Sequence, residues 1–374
     1  MRSTWVDASG GYMSLSKRNV GIGYLLLACV CAEARTEPQE LPLIAVKPFA
    51  ELPADVRHPE GLAVDPDSGE VYVGTFDARE PAEQRNNQVL RLSATGQLLA
   101  RKSFGATPLT GLLFAEGQLY ILNFGAASLQ RLPAAFNEQS DIETLVTFAA
   151  LPPPSPRKVS NPDGSKDRIE FASSGMPAPN GMVFDRAGNL YVSDSFQGAV
   201  LRIPDAMHCA PCKIEMLARD PLFTTTSFLP FGANGLAFNA DETLLYINNA
   251  GDGRVLRMPM PGGPVEVFAE SVPGADGLLF HAGRLWVVTN QADRVVALNS
   301  HGLPVLIAGA FLGLADNGAP RGLLFPASTA VQGQRMLVTN LALPLTQASG
   351  DEWEERATRW NLMQFDLPSP LTGE

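Results

Sequence analysis

Six times along this chain a glycine is followed by a short apolar run. The runs are Gly61-Leu62-Ala63-Val64, Gly111-Leu112-Leu113-Phe114, Gly181-Met182-Val183-Phe184, Gly235-Leu236-Ala237-Phe238, Gly277-Leu278-Leu279-Phe280 and Gly322-Leu323-Leu324-Phe325. The glycines recur at intervals of 42 to 70 residues, the period of a β-propeller blade. The residue before each glycine behaves differently from the run that follows it. It is Glu60, Thr110, Asn180, Asn234, Asp276 and Arg321 in turn, always polar and of changing chemistry. A scaffold repeated for packing, with one ring of it left open to specialise, produces that pattern.

Each repeat resolves into four short strands. In the third, 180–185 is a first strand, Arg186-Ala187-Gly188-Asn189 a turn and 190–194 a second strand, with a third at 199–203 and a fourth at 213–218. The fourth repeat copies the arrangement at 234–238, 244–248, 254–258 and 264–269. β-Branched and aromatic residues between Gly-rich turns favour strands throughout. The sixth repeat, read as 322–326, 335–340 and 360–366, lacks a fourth strand. The segment 43–52 resembles the fourth strands elsewhere, so it is expected to complete the last blade and remove an open sheet edge. The expected fold is all-β: one six-bladed propeller over 41–368. Its blades lie near 60–104, 110–151, 180–221, 234–271, 276–311 and 321–366 plus 43–52. Two insertions, 152–179 and 343–359, break the rhythm as lids or as surface decoration.

The 374 residues carry a net charge of −11, which leaves no basic stripe for nucleic acid or an anionic membrane. Lys17 and Arg18 precede an apolar stretch at 20–32, the order of a signal peptide and too short to span a bilayer. Met13 would make a more compact start than Met1. The leader is assigned to 1–34 and implies a secreted or periplasmic protein. Leu26-Leu27-Ala28-Cys29 offers the alternative of a lipid anchor at Cys29, and Ala32-Glu33-Ala34 suits ordinary cleavage. Outside that leader the cysteines are Cys209 and Cys212. Lys213 follows where haem attachment needs histidine, and His208 alone is too few ligands for zinc. A local disulfide is the expected state in an oxidising compartment.

In a propeller the first strand of each blade lines the central channel, so the pre-glycine residues form a ring at one mouth. The adjacent glycine lets neighbouring backbones approach where blades converge. Glu60, Asn180, Asn234 and Asp276 then present oxygen donors to one axis, a set suited to a hard cation such as Ca²⁺, or another divalent ion. Thr110 and Arg321 complete the ring as substrate-binding candidates, Arg321 through a carboxylate or phosphate. Strand-end residues Thr75, Asn123, Asp194, Asn249, Thr289 and Asn340 return to the same face. These are expected to orient the ring, Asn123, Asp194 and Asn249 foremost, and turn formation is the competing explanation. His58 and His281 lie near inner strands as weaker candidates for a base. No Gly-x-Ser-x-Gly, phosphate-loop or zinc signature is present.

The segments His58-Pro59-Glu60-Gly61, Pro179-Asn180-Gly181, Ala233-Asn234-Gly235-Leu236-Ala237-Phe238 and Ala275-Asp276-Gly277-Leu278 resemble the regucalcin/gluconolactonase family. A more distant likeness runs to paraoxonase and diisopropylfluorophosphatase. The resemblance covers about residues 41 to 368 and implies six blades with a calcium on the axis. It further implies that Glu60, Asn234 and Asp276 match the family's metal-binding residues and Asn180 its further Asn. Asp276 is then the catalytic residue, as general base or nucleophile in the hydrolysis of a small-molecule lactone or ester. The Glu60 motif carries Leu62-Ala63-Val64 where the gluconolactonase group has tryptophan, and no counterpart of that group's substrate-contacting arginine is visible. The rival expectation is a non-catalytic binding propeller of the strictosidine-synthase-like or NHL type.

Overall fold

A computed structural model describes residues 40–152, 156–169, 175–346 and 350–368. The leader, Met13 and Cys29 lie outside them. Six antiparallel four-stranded sheets make up the ring. Blade one contains Pro59–Val64, Val71–Thr75, Asn87–Leu92 and Leu98–Gly105, from the axis outward. The inner strands of blades two to five are Leu109–Ala115, Pro179–Phe184, Ala233–Phe238 and Ala275–His281. Blade six consists of Pro326–Gln332, Arg335–Asn340, Asn361–Asp366 and, as its outermost strand, Lys47–Glu51. The N-terminal segment therefore closes the ring, pairing antiparallel with Asn361–Asp366. Just before it, Leu43–Ile44 adds a short parallel strand to blade five. None of the described helices is long and apolar enough to cross a membrane.

Burial follows from the repeat. Six hydrophobic clusters each lie between neighbouring blades, including one joining blade six to blade one through Leu337, Leu362, Leu62 and Val73. In blades two to four the phenylalanine ending the apolar run packs against a tyrosine in the second strand of the preceding blade, stacked in the first pair and edge-on in the other two. Tyr72–Phe114, Tyr120–Phe184 and Tyr191–Phe238 have ring centroids 6.0, 5.0 and 5.1 Å apart. Glycine is required by contact rather than by torsion. A Cβ on Gly61, Gly111, Gly181 or Gly235 would lie 2.2–2.8 Å from the carbonyl oxygen of Thr110, Asn180, Asn234 or Asp276, respectively. Gly235→Ala is therefore expected to destabilise the protein by about 1–3 kcal/mol, read as a lower denaturation midpoint in urea.

Blade six departs from the expected register. Gly322 does not begin an inner strand. It ends a small hairpin in which Phe311–Leu314 pairs with Pro320–Gly322. Its φ of +78° is one that L side chains rarely adopt, unlike the four glycines above. The inner strand starts four residues later, and Pro326 pairs with Asn340 across the same bulge that every inner strand carries. Ala327 is thus the sixth ring residue, with its carbonyl 2.5 Å from the position of a Cβ on Gly277. The run Leu323-Leu324-Phe325 imitated the repeat because it too is buried.

The two insertions differ. The first contains a two-stranded hairpin, Arg157–Ser160 with Lys166–Ile169. The second leaves blade six at Leu341 and re-enters at Asn361, and its described residues include a turn of 3₁₀-helix, Glu354–Arg356. Cys209 and Cys212 are disulfide-bonded in the loop before the outer strand of blade three.

Candidate metal centre

The ring assembles Glu60, Thr110, Asn180, Asn234 and Asp276, all buried and lining the space on both sides of it. Three of them are held through their main-chain carbonyls as well as by their strands. Ser193 Oγ donates to the Asn234 carbonyl at 2.6 Å, Asn248 Nδ2 to that of Asp276 at 2.8 Å, and Thr339 Oγ1 to that of Glu60 at 3.2 Å. Thr110 Oγ1 donates to the Pro179 carbonyl at 2.9 Å, clasping blades two and three.

Two carboxyl groups sit in this ring without a cationic partner among the described residues. Burial, and then the Asp276 charge, push Glu60 well above the usual carboxylate range. Burial pushes Asp276 up to about 7, opposed by hydrogen bonds from Asn290 and Asn234. Glu60 Oε2 is buried with no hydrogen-bond partner. A buried acceptor left in this state costs free energy that a bound cation would recover. Asn180 donates Nδ2 to Ser195 Oγ at 3.1 Å, which leaves its Oδ1 for an ion. Two carboxylates, two carboxamides and a hydroxyl form an all-oxygen set, and the residues present fit a hard divalent cation.

The groups that brace the ring lie one position beyond those expected. Asn290, directly after Thr289, donates Nδ2 to Asp276 Oδ2 at 3.2 Å. Ser195, directly after Asp194, receives Asn180. Asn290 fits only because residue 274 is glycine: a Cβ there would lie 1.7 Å from Asn290 Oδ1. The earlier positions serve turns and loop ends. Asp194 Oδ1 accepts from the amides of Ala178, Phe196 and Gln197. Asn249 Nδ2 donates to the Leu222 and Thr224 carbonyls, and Asn123 Oδ1 accepts from the Ala126 amide. A strand alternates faces, so a shift of one residue decides which groups meet the axis. Phe76 and Leu341 occupy the same position after Thr75 and Asn340, and both line the space above the ring.

Arg321 is not brought to the ring. It is exposed in the 311–322 hairpin, between blades five and six. Arg321→Ala is expected to leave cation affinity unchanged in a calcium titration. His58 is buried beside Glu60, but its ring is engaged elsewhere. Nδ1 lies 3.0 Å from the Leu341 carbonyl, the ring packs edge-on against Trp360, and burial lowers its basicity. His281 ends the inner strand of blade five, at the other end of that strand from Asp276.

The ring divides two spaces of opposite character. Below it the channel widens to about 470 Å³ towards the turns after the inner strands, where Arg186 and Glu242 form an ion pair. Above it only about 30 Å³ remains, the room of one or two waters. The cover is apolar. Phe76, Phe124, Phe196 and Phe231 come from the ends of different strands and form one cluster, with centroids 5.3 to 6.5 Å apart. Phe325, Leu341 and Leu343 join it from the blade-six side. Among the described residues, Asp351, Glu352 and Glu355 bring three carboxylates together. Glu352 accepts from the Leu345 and Thr346 amides at 2.8 and 3.0 Å, so that group shapes the cover.

No family model matches the chain, and no curated protein matches it. Solved structures do match. A luciferin-regenerating enzyme aligns with TM-score 0.56 and 15% identity over 86% of this chain and 97% of its own. The calcium-binding protein regucalcin from Agrobacterium tumefaciens gives TM-score 0.55 and 15% identity, over 89% and 99%. A gluconolactonase from Xanthomonas campestris gives TM-score 0.51 and 17% identity, over 84% and 88%. At these identities the likeness is one of fold, and the six-bladed propeller is shared across nearly the full length of each.

Proposed function

We propose that this protein is a divalent-cation-dependent hydrolase of a lactone or related ester, with its site at the upper face of the ring. The observation that carries the reading is the pair of buried carboxylates, Glu60 and Asp276, in a ring where no side-chain cation among the described residues neutralises them. Calcium is the first choice because every donor is oxygen and none is nitrogen or sulfur. The names of two fold neighbours, a calcium-binding protein and a gluconolactonase, support the same choice.

A bound cation would supply positive charge to polarise the substrate carbonyl and stabilise the oxyanion that develops there. Glu60, Asn180, Asn234 and one oxygen of Asp276 would hold it. Asp276 would accept the proton of an attacking water while its Oδ2 is steadied by Asn290. The water oxygen bonds to the acyl carbon, the acyl C–O bond breaks, and the alkoxide takes up the proton to give a hydroxy acid. Each step moves a proton or an electron pair already present, so no redox partner is required. The bonded Cys209–Cys212 pair fits the export implied by the leader.

The closed cover favours a second reading, a propeller that binds its cation as a structural plug and holds a partner on its surface. Lactone hydrolysis measured with calcium and with a chelator decides between them. Turnover that disappears with the cation supports the enzyme. Cation binding without turnover of any lactone or ester supports the plug.

A further inference from the structure

The space above the ring has a polar floor and apolar walls. The floor is the ring with Asn290; among the described residues, every wall side chain is hydrocarbon. Phe231 and Leu345 form the half-buried outer part of that wall, and Phe76, Phe325 and Leu343 the buried inner part. Phe325 holds a left-handed backbone, φ +41°, through its amide on Asp293 Oδ1 at 2.8 Å. A bulky residue keeps such a torsion only where its surroundings over-determine it. The apolar surface also continues outward, since Phe228, next to the lining residue Leu229, is 68% exposed.

We infer that the upper chamber accepts an ester or lactone whose alkyl or aryl portion takes the place of the cover over the ring, in preference to a polyhydroxylated lactone. This assignment rests on the hydrolytic reading above. The acyl oxygens would meet the polar floor. The rest of the molecule would meet only hydrocarbon, where an alkyl chain gains by leaving water. Sugar hydroxyls would lose their water there and find no donor or acceptor on the walls. Leu343 is the buried side chain such a substrate must displace, because the cover leaves room for little more than water.

The test compares δ-decalactone with glucono-1,5-lactone. Both are six-membered lactones, so only the substituents differ. With saturating calcium, kcat/KM is expected to favour δ-decalactone by roughly 100-fold, the scale on which pockets discriminate by a few such contacts. Leu345→Asn and Phe231→Ser are each expected to lower kcat/KM for δ-decalactone by roughly 10-fold, with calcium affinity retained, because neither residue supplies an oxygen donor of the ring. Equal or better turnover of gluconolactone overturns the assignment, as does unaltered δ-decalactone turnover in both variants. If neither lactone is hydrolysed, calorimetric binding of δ-decalactone to wild type and Phe231→Ser replaces the rate. Binding that the substitution weakens keeps the chamber and discards the hydrolase. Absence of binding discards both.

Discussion

Calcium added to chelator-treated protein is expected to raise its melting temperature, and Glu60→Gln is expected to remove most of that rise. A ligand that binds only the folded state at about 100 times its Kd stabilises it by roughly 2.7 kcal/mol, which is several degrees for a chain of this size. The source of the effect is the pair of buried carboxylates. Without a cation, Glu60 and Asp276 titrate above their unfolded values, so the folded state binds protons that the unfolded state has already released. The metal-free protein should therefore lose stability as pH rises from the unfolded carboxylate range through about 7. A cation takes the place of those protons, and its own benefit should grow over the same interval. Melting curves at pH 5 and pH 8, with chelator and with calcium, read both trends. If Glu60→Gln in chelator melts no higher than wild type in chelator at pH 8, the buried charge is not the liability proposed here.

Much of this was legible in the repeat itself. Close packing at the axis demands glycine, and the position before it must face the channel, so Glu60, Thr110, Asn180, Asn234 and Asp276 could be placed without coordinates. Closure by the N-terminal strand followed from counting strands. Blade six was misread at its entrance because a glycine can serve two ends. Gly235 is needed for contact at the axis alone, whereas Gly322 has a left-handed torsion and abuts the Ala310 carbonyl of its own hairpin, and a sequence pattern shows only the residue type. The bracing residues Asn290 and Ser195 were missed by one position. The strand ends at a turn there, and which of two adjacent polar residues faces inward depends on how the chain leaves the sheet. The apolar cover had no local signature at all. Its phenylalanines come from positions 76, 124, 196, 231 and 325, each following or preceding a strand by a residue or two, and only ring closure brings them together.

Asp276→Asn is expected to lower kcat for lactone hydrolysis by roughly 10²–10⁴-fold while the ring remains assembled. The substitution is nearly isosteric, and the backbone carbonyl of residue 276 still packs against Gly235 and still accepts from Asn248. Only the carboxylate is removed. An amide retains an oxygen for a cation but cannot take a proton from water, so the two roles assigned to Asp276 separate in this variant. Calcium affinity should fall, because one negative charge is lost, and the rate must therefore be read at calcium concentrations shown by titration to saturate the variant. Asn290→Ala provides the complementary measurement. It keeps the carboxylate but removes its 3.2 Å hydrogen bond, which favours the ionised form. The pH–rate profile should move to higher pH, with a smaller loss at its maximum than in Asp276→Asn. Full lactonase activity in calcium-saturated Asp276→Asn would falsify the base assignment and leave the cation acting with water alone. Loss of calcium binding without loss of activity would remove the cation from the chemistry as well.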